Sequence, residues 1–115
     1  MEAAIVFRYG RPAAGREKLA FEVFGEALGF FGKKAADGLC QAPVAYMGPS
    51  GGGTLIIGGE RASLVEMVAG DDFSRLDLKA GYAVPDLTYE IMLTGNDAVS
   101  QMGLWATVGS ELGLM

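Results

Sequence analysis

The chain contains no histidine. Its absence removes imidazole acid–base work, histidine-based triads and histidine metal centres from the chemistry available. There is one cysteine, Cys40, so neither an intrachain disulfide nor a thiolate metal cluster can form within one chain. With no histidine beside it, Cys40 reads as a small buried hydrophobe and not as a nucleophile. No apolar run approaches the ~20 residues that span a bilayer, so no membrane partner is expected. Positive charge is scarce: nine Lys and Arg stand against fourteen Asp and Glu, for a net charge of −5. An acidic chain is a poor general binder of phosphate backbones, so nucleic acid is not an expected partner. Met1–Glu2 leads directly into a strand-like run with no cleavage pattern, and the expected compartment is the cytoplasm. No metal and no cofactor is expected.

What the chain does have is apolar residues and glycine. At 115 residues it is expected to form a single domain, 1–115. Half of its residues are hydrophobic, more apolar surface than one small subunit readily hides, and surplus of that kind usually meets a partner. Glycine accounts for 18 residues, about double the ordinary ~7%, yet it is dispersed through periodic segments and not gathered in low-complexity tracts.

The periodicities come in a definite order. Ala3 to Tyr9 reads as a strand with Ile5, Phe7 and Tyr9 on one face and Ala4, Val6 and Arg8 on the other. Gly15 to about Ala36 reads as a helix, with Ala20, Phe24, Ala27, Leu28, Phe31 and Ala35 in one stripe. Lys33 and Lys34 suit its carbonyl end, and Asp37-Gly38 stops it. Gly25, Gly29 and Gly32 fall opposite the phenylalanine stripe, either for close approach of another helix or as solvent-face drift. Gln41 to Met47 is an expected strand that Pro43 confines to a sheet edge. Thr54 to Ile57 follows the turn Gly48 to Gly53 as a central strand. That turn lacks the Lys-Ser/Thr ending of a phosphate loop and leads into a strand, which excludes the phosphate reading. Gly59 to about Gly70 is a shorter helix with Ser63 and Glu66 at capping-box spacing, and Asp71-Asp72-Phe73 opens a further short one carrying Leu76. Leu87 to Leu93 alternates best of all, with Leu87, Tyr89, Ile91 and Leu93 on one side. Asn96-Asp97 reads as a cap, and the tail from Ala98 to Met115 as weakly helical, interrupted by Gly103, Gly109 and Gly113.

Strand, helix, strand, strand, helix, strand is the order of the split β-α-β, ferredoxin-like sandwich. The expected fold is α+β with an antiparallel four-stranded sheet of order 4-1-3-2, a core over about 3–94 and a helical extension over about 96–115. These elements, with Phe7-Arg8-Tyr9-Gly10-Arg11-Pro12 running through Gly15-Arg16-Glu17 into the long helix, resemble the ferredoxin-like dimeric α/β-barrel superfamily. That superfamily includes small stress-responsive proteins, YCII-like proteins and antibiotic-biosynthesis monooxygenases, and the pattern is similar to uncharacterised small bacterial members. The resemblance implies a homodimer with a barrel-like interior that holds a small organic ligand. Independently, two helices cover only one face of a four-stranded sheet, which leaves Val6 and Met92 in need of a second subunit.

Candidate site residues are few. Arg8, Arg11 and Arg16 surround the start of the long helix, where free N–H groups favour an anion; pairing with surface acids is the plainer alternative. Arg8 and Glu90 lie on one face if the first and last strands are neighbours, either as a functional pair or as a structural one. Tyr46 and Trp105 offer polar-ended aromatics for a pocket or for packing. The leading expectation is a homodimeric domain that binds a small organic ligand and carries no catalytic signature. One alternative is a cofactor-independent monooxygenase- or isomerase-like enzyme using Arg8 and Glu90. Another is an interaction module that docks through its C-terminal helix.

Overall fold

The computed structural model describes all of residues 1–115. Its elements are β1 (Glu2–Tyr9), α1 (Glu17–Ala36), β2 (Val44–Met47), β3 (Gly53–Glu60), α2 (Arg61–Val68), α3 (Asp71–Ala83), β4 (Thr88–Leu93) and α4 (Gly95–Glu111). The sheet is antiparallel with order β2-β3-β1-β4, the expected 4-1-3-2 order seen from the other edge. Pro43 has no N–H to give a ladder, and β2 begins immediately after it, at the edge and shorter than the expected Gln41 to Met47.

Alternation along β1 sets the core face, although Ala4 on the other face is buried as well. Ile5 pairs with Ile57 and Ile91, and Phe7 with Leu55 and Tyr89, all on the face covered by the helices. Ile5, Ile57, Phe31 and Leu64 are wholly buried there. An aromatic cluster ties the layers together: Phe7 stands 5.9 Å from Phe31 and 5.4 Å from Tyr89, and Tyr89 meets Phe73 edge-on at 5.4 Å. Aromatic pairs of this geometry add about 0.5–1.5 kcal/mol each beyond the area they bury. The opposite face carries Ala4, Val6, Arg8, Ile56, Glu90 and Met92; Ala4 is buried at the end where Gln41 lies over Gly58, while Val6 and Ile56 are half-buried and Arg8, Glu90 and Met92 exposed.

Four local expectations are corrected. The segment after Gly70 is not a brief helix but a 13-residue one, α3, which packs beside α1 through Phe73 and Leu76. Leu28, placed in the inward stripe of α1, lies at its margin and is partly exposed. Asp97 does not cap its own helix: α4 starts at Gly95, and the Asp97 carboxylate accepts a 2.7 Å hydrogen bond from the Glu2 backbone N–H. Gly103 and Gly109 do not interrupt α4, which runs unbroken to Glu111. Gly38, at φ +77, ends α1 in the left-handed conformation that glycine adopts freely.

Candidate functional site

The helix-covered face does not close completely. Between α1, the length of α3, the end of β1, Leu55 of β3 and the segment that leads into β4 lies a partly open cavity of about 80 Å³. Its walls follow from helical spacing: Ala20, Phe24 and Ala27 project from α1, and Phe73, Leu76 and Ala80 from α3. The alanines leave the room that larger side chains would fill. Two ion pairs join the same helices at the surface, Lys79–Glu26 at 2.6 Å and Lys34–Asp72 at 3.8 Å.

Every residue lining this cavity is hydrophobic except Asp77. Asp77 has no ion-pair partner, and its burial pushes the carboxyl above the ordinary carboxylate range. The second polar group is the Tyr9 hydroxyl. The Tyr9 ring rests edge-on against Phe24 at 6.2 Å, and its oxygen lies over Gly53, 2.9 Å from where a methyl at that glycine would stand. That oxygen is sequestered from solvent and has no hydrogen-bond partner. Burial pushes the phenol upward, so it stays neutral and able to donate. A chamber walled almost wholly by carbon, with one half-buried carboxyl among its lining residues and the Tyr9 hydroxyl sealed behind its wall, has the apolar character of a small-molecule site.

None of the six residues singled out in the sequence lines this cavity. Arg8 and Glu90 do meet, at 3.6 Å, but on the open face of the sheet and well exposed. Arg11 donates from Nε to the Ser50 carbonyl at 2.6 Å. Arg16 donates from Nη1 to the Tyr82 carbonyl at 2.6 Å, so the last turn of α3 occupies it. The three arginines thus reach three different partners. Tyr46 stands exposed on β2, and Trp105 is 74% exposed on α4. Cys40 is half-buried with its thiol 3.8 Å from the Phe31 carbonyl, and burial raises its pKa against the opposing pull of Lys34. No cluster of potential metal ligands is present, and no helix is long and apolar enough to cross a membrane.

No family model matches the chain, and no curated protein matches it significantly. Solved structures do. Rv0793 from Mycobacterium tuberculosis superposes with a TM-score of 0.66 at 12% identity, over 83% of this chain and 96% of its own. SnoaB, a cofactor-independent oxygenase from Streptomyces nogalater solved as a point mutant, gives 0.65 at 10% identity, over 81% and 92%. An antibiotic biosynthesis monooxygenase gives 0.57 at 19% identity, over 83% and 99%. The fold is that of the antibiotic-biosynthesis-monooxygenase-like, ferredoxin-like proteins. At such identities the likeness concerns the backbone alone. The three neighbours are matched almost end to end, yet nearly a fifth of this chain has no counterpart in them. That share is the size of α4 and the tail behind it.

Proposed function

We propose that this chain is a cytoplasmic homodimeric domain whose subunits each bind a small, flat, largely apolar organic molecule between α1, α3 and the sheet. The observation that carries the proposal is the cavity itself, apolar apart from Asp77, with the unpartnered Tyr9 hydroxyl sealed behind its wall, where a small rotation of the ring would expose it. A sealed space of about 80 Å³ would cost about 2 kcal/mol at ~24 cal/mol per Å³, which is the upper bound for this partly open one. A ring that fills it and accepts a hydrogen bond from Tyr9 recovers that stability. The homodimer is supported by the second sheet face, where Val6 and Ile56 are only half-buried and Met92 is exposed. Arg8 and Glu90 lie on that same face and belong to the proposed subunit contact.

Asp77 favours a second reading, a cofactor-independent oxygenase of the kind that SnoaB is described to be. A carboxylate raised in basicity by burial can take a proton from a bound phenol, leaving an electron-rich anion in a dry site. The first reading is tested by thermal unfolding with naphthol as the probe, alongside native mass spectrometry of freshly purified protein. At a hundredfold excess over Kd, binding adds about 2.7 kcal/mol. For 115 residues this raises Tm by about 11 °C, at about 4 °C per kcal/mol. Ala80→Leu fills the chamber and should abolish the rise. No shift with any ring-sized probe, or a shift that survives Ala80→Leu, overturns the proposal.

A further inference from the structure

Helix α4 leaves β4 and meets the body against β1 and β4, with Asp97 in its first turn bonded to Glu2. None of its residues is buried. It stretches the molecule to 52 Å and raises the radius of gyration to 16.4 Å, where a compact chain of this length has about 13 Å. Most helices owe their stability to an apolar face packed on something, and the glycines in α4 weaken its intrinsic preference further. Yet Val99, Met102, Leu104, Trp105, Val108 and Leu112 all stand 42–74% exposed. Together they present on the order of 700 Å², close to the roughly 800 Å² that each partner contributes to a standard interface.

Charge distribution identifies the matching surface. The chain carries 23 charged residues, but none falls between Ala98 and Ser110, and none between Gly38 and Gly59. The first gap is α4. The second contains β2, an edge strand exposed on both faces, with Tyr46 at 59% and Met47 at 67%. Loss of charge together with enrichment in aromatic residues and methionine marks interface cores. β2 and β4 are opposite edges of the sheet. A two-fold axis parallel to the strands, between facing sheets, sets the β4 edge of one copy against the β2 edge of the other.

We infer that α4 is an arm that docks on the β2 edge of a second copy of this chain, and that the exchange is reciprocal. Trp105 and Met102 pack on Val44, Tyr46 and Met47 of the partner subunit, shielding a strand edge that would otherwise be open to pairing. The inference rests on the proposed homodimer and is independent of the ligand.

Trp105 is the single tryptophan, so its fluorescence reports on the arm alone. The test measures mass by light scattering and tryptophan emission together, on the full chain over a dilution series. A dimer with sheltered Trp105 is expected, with emission moving to the red as dilution releases monomer. Trp105→Asp and Tyr46→Asp should each raise the dimer Kd at least a hundredfold while circular dichroism of the body is retained. Mixing the two variants should restore dimer as the heterodimer, which keeps one arm and one seat intact. A monomeric wild type at every concentration overturns both this inference and the homodimer. A dimer whose Trp105 emits as an exposed indole, or Tyr46→Asp with the wild-type Kd, overturns the arm alone.

Discussion

Tyr9→Phe separates a functional cavity from a mere packing defect. The substitution removes one oxygen and leaves the ring in its edge-on contact with Phe24. In the unliganded protein that oxygen is out of solvent and bonded to nothing, whereas in the unfolded chain water satisfies it. A buried hydroxyl left unsatisfied costs about 1–3 kcal/mol. The rest of the Tyr9 side chain is only half-buried, so the lower half of that range, about 1–2 kcal/mol, applies. With about 4 °C per kcal/mol for a chain of 115 residues, Tm should rise by about 4–8 °C. Binding should move the other way. Loss of one neutral hydrogen bond, about 0.5–1.5 kcal/mol, weakens naphthol by about twofold to more than tenfold. Calorimetric unfolding gives the first quantity and isothermal titration the second. A variant that is less stable than the parent in the absence of ligand refutes the reasoning, because the hydroxyl would then have had a partner all along. A variant equal to the parent in binding would remove Tyr9 from the site.

Three further outcomes follow from the same structure. The folded state holds Asp77 above the ordinary carboxylate range and the unfolded chain does not, so its ionisation removes stability as pH rises through that range. Asp77→Asn should therefore raise Tm at neutral pH and leave it unchanged below about pH 3.9, as a pair of pH-resolved melts would show. Arg8→Met breaks an exposed ion pair worth at most about 1 kcal/mol and should leave naphthol affinity untouched; a loss of affinity would bring the open face into the ligand site. Gly25→Ala and Gly29→Ala add methyl groups that meet no atom within 4 Å in one subunit. Each should raise Tm by about 4 °C, for about 1 kcal/mol of helix propensity. A fall in Tm would mean that another surface packs closely on that side of α1.

The order of elements was legible because alternation and helical spacing are local. Ile5, Phe7 and Ile91 declare their face within a few residues of chain, and Pro43 declares an edge by the hydrogen bond it cannot make. The length of α3 was less visible: charged residues and Gly81 mask it, although Phe73, Leu76, Ala80 and Ala83 do repeat at helical spacing. The cavity was not legible at all. It exists because alanines on two helices distant in sequence face one another, and nothing around Asp77 marks that carboxyl as the one to be half-buried. Tyr9 could be assigned to the inward face from its neighbours, but whether its oxygen finds a donor or acceptor is a matter of three-dimensional accounting. The arginines failed as a cluster for a similar reason, since main-chain carbonyls of Ser50 and Tyr82 compete for them and leave no trace in side-chain spacing.

The ion pairs Lys79–Glu26 and Lys34–Asp72 bridge α1 and α3, the two helices that roof the chamber. An 80 Å³ chamber is smaller than a typical ligand pocket of ~300–1,000 Å³, so admission requires α1 and α3 to part briefly. Both bridges are solvent-accessible and feel the ~8 Å screening length of physiological electrolyte. Added salt therefore loosens the tie between α1 and α3 while leaving the oily lining of the chamber unchanged. Uncharged guests should enter and leave faster in brine at nearly constant affinity, a kinetic signature opposite to that of electrostatic steering.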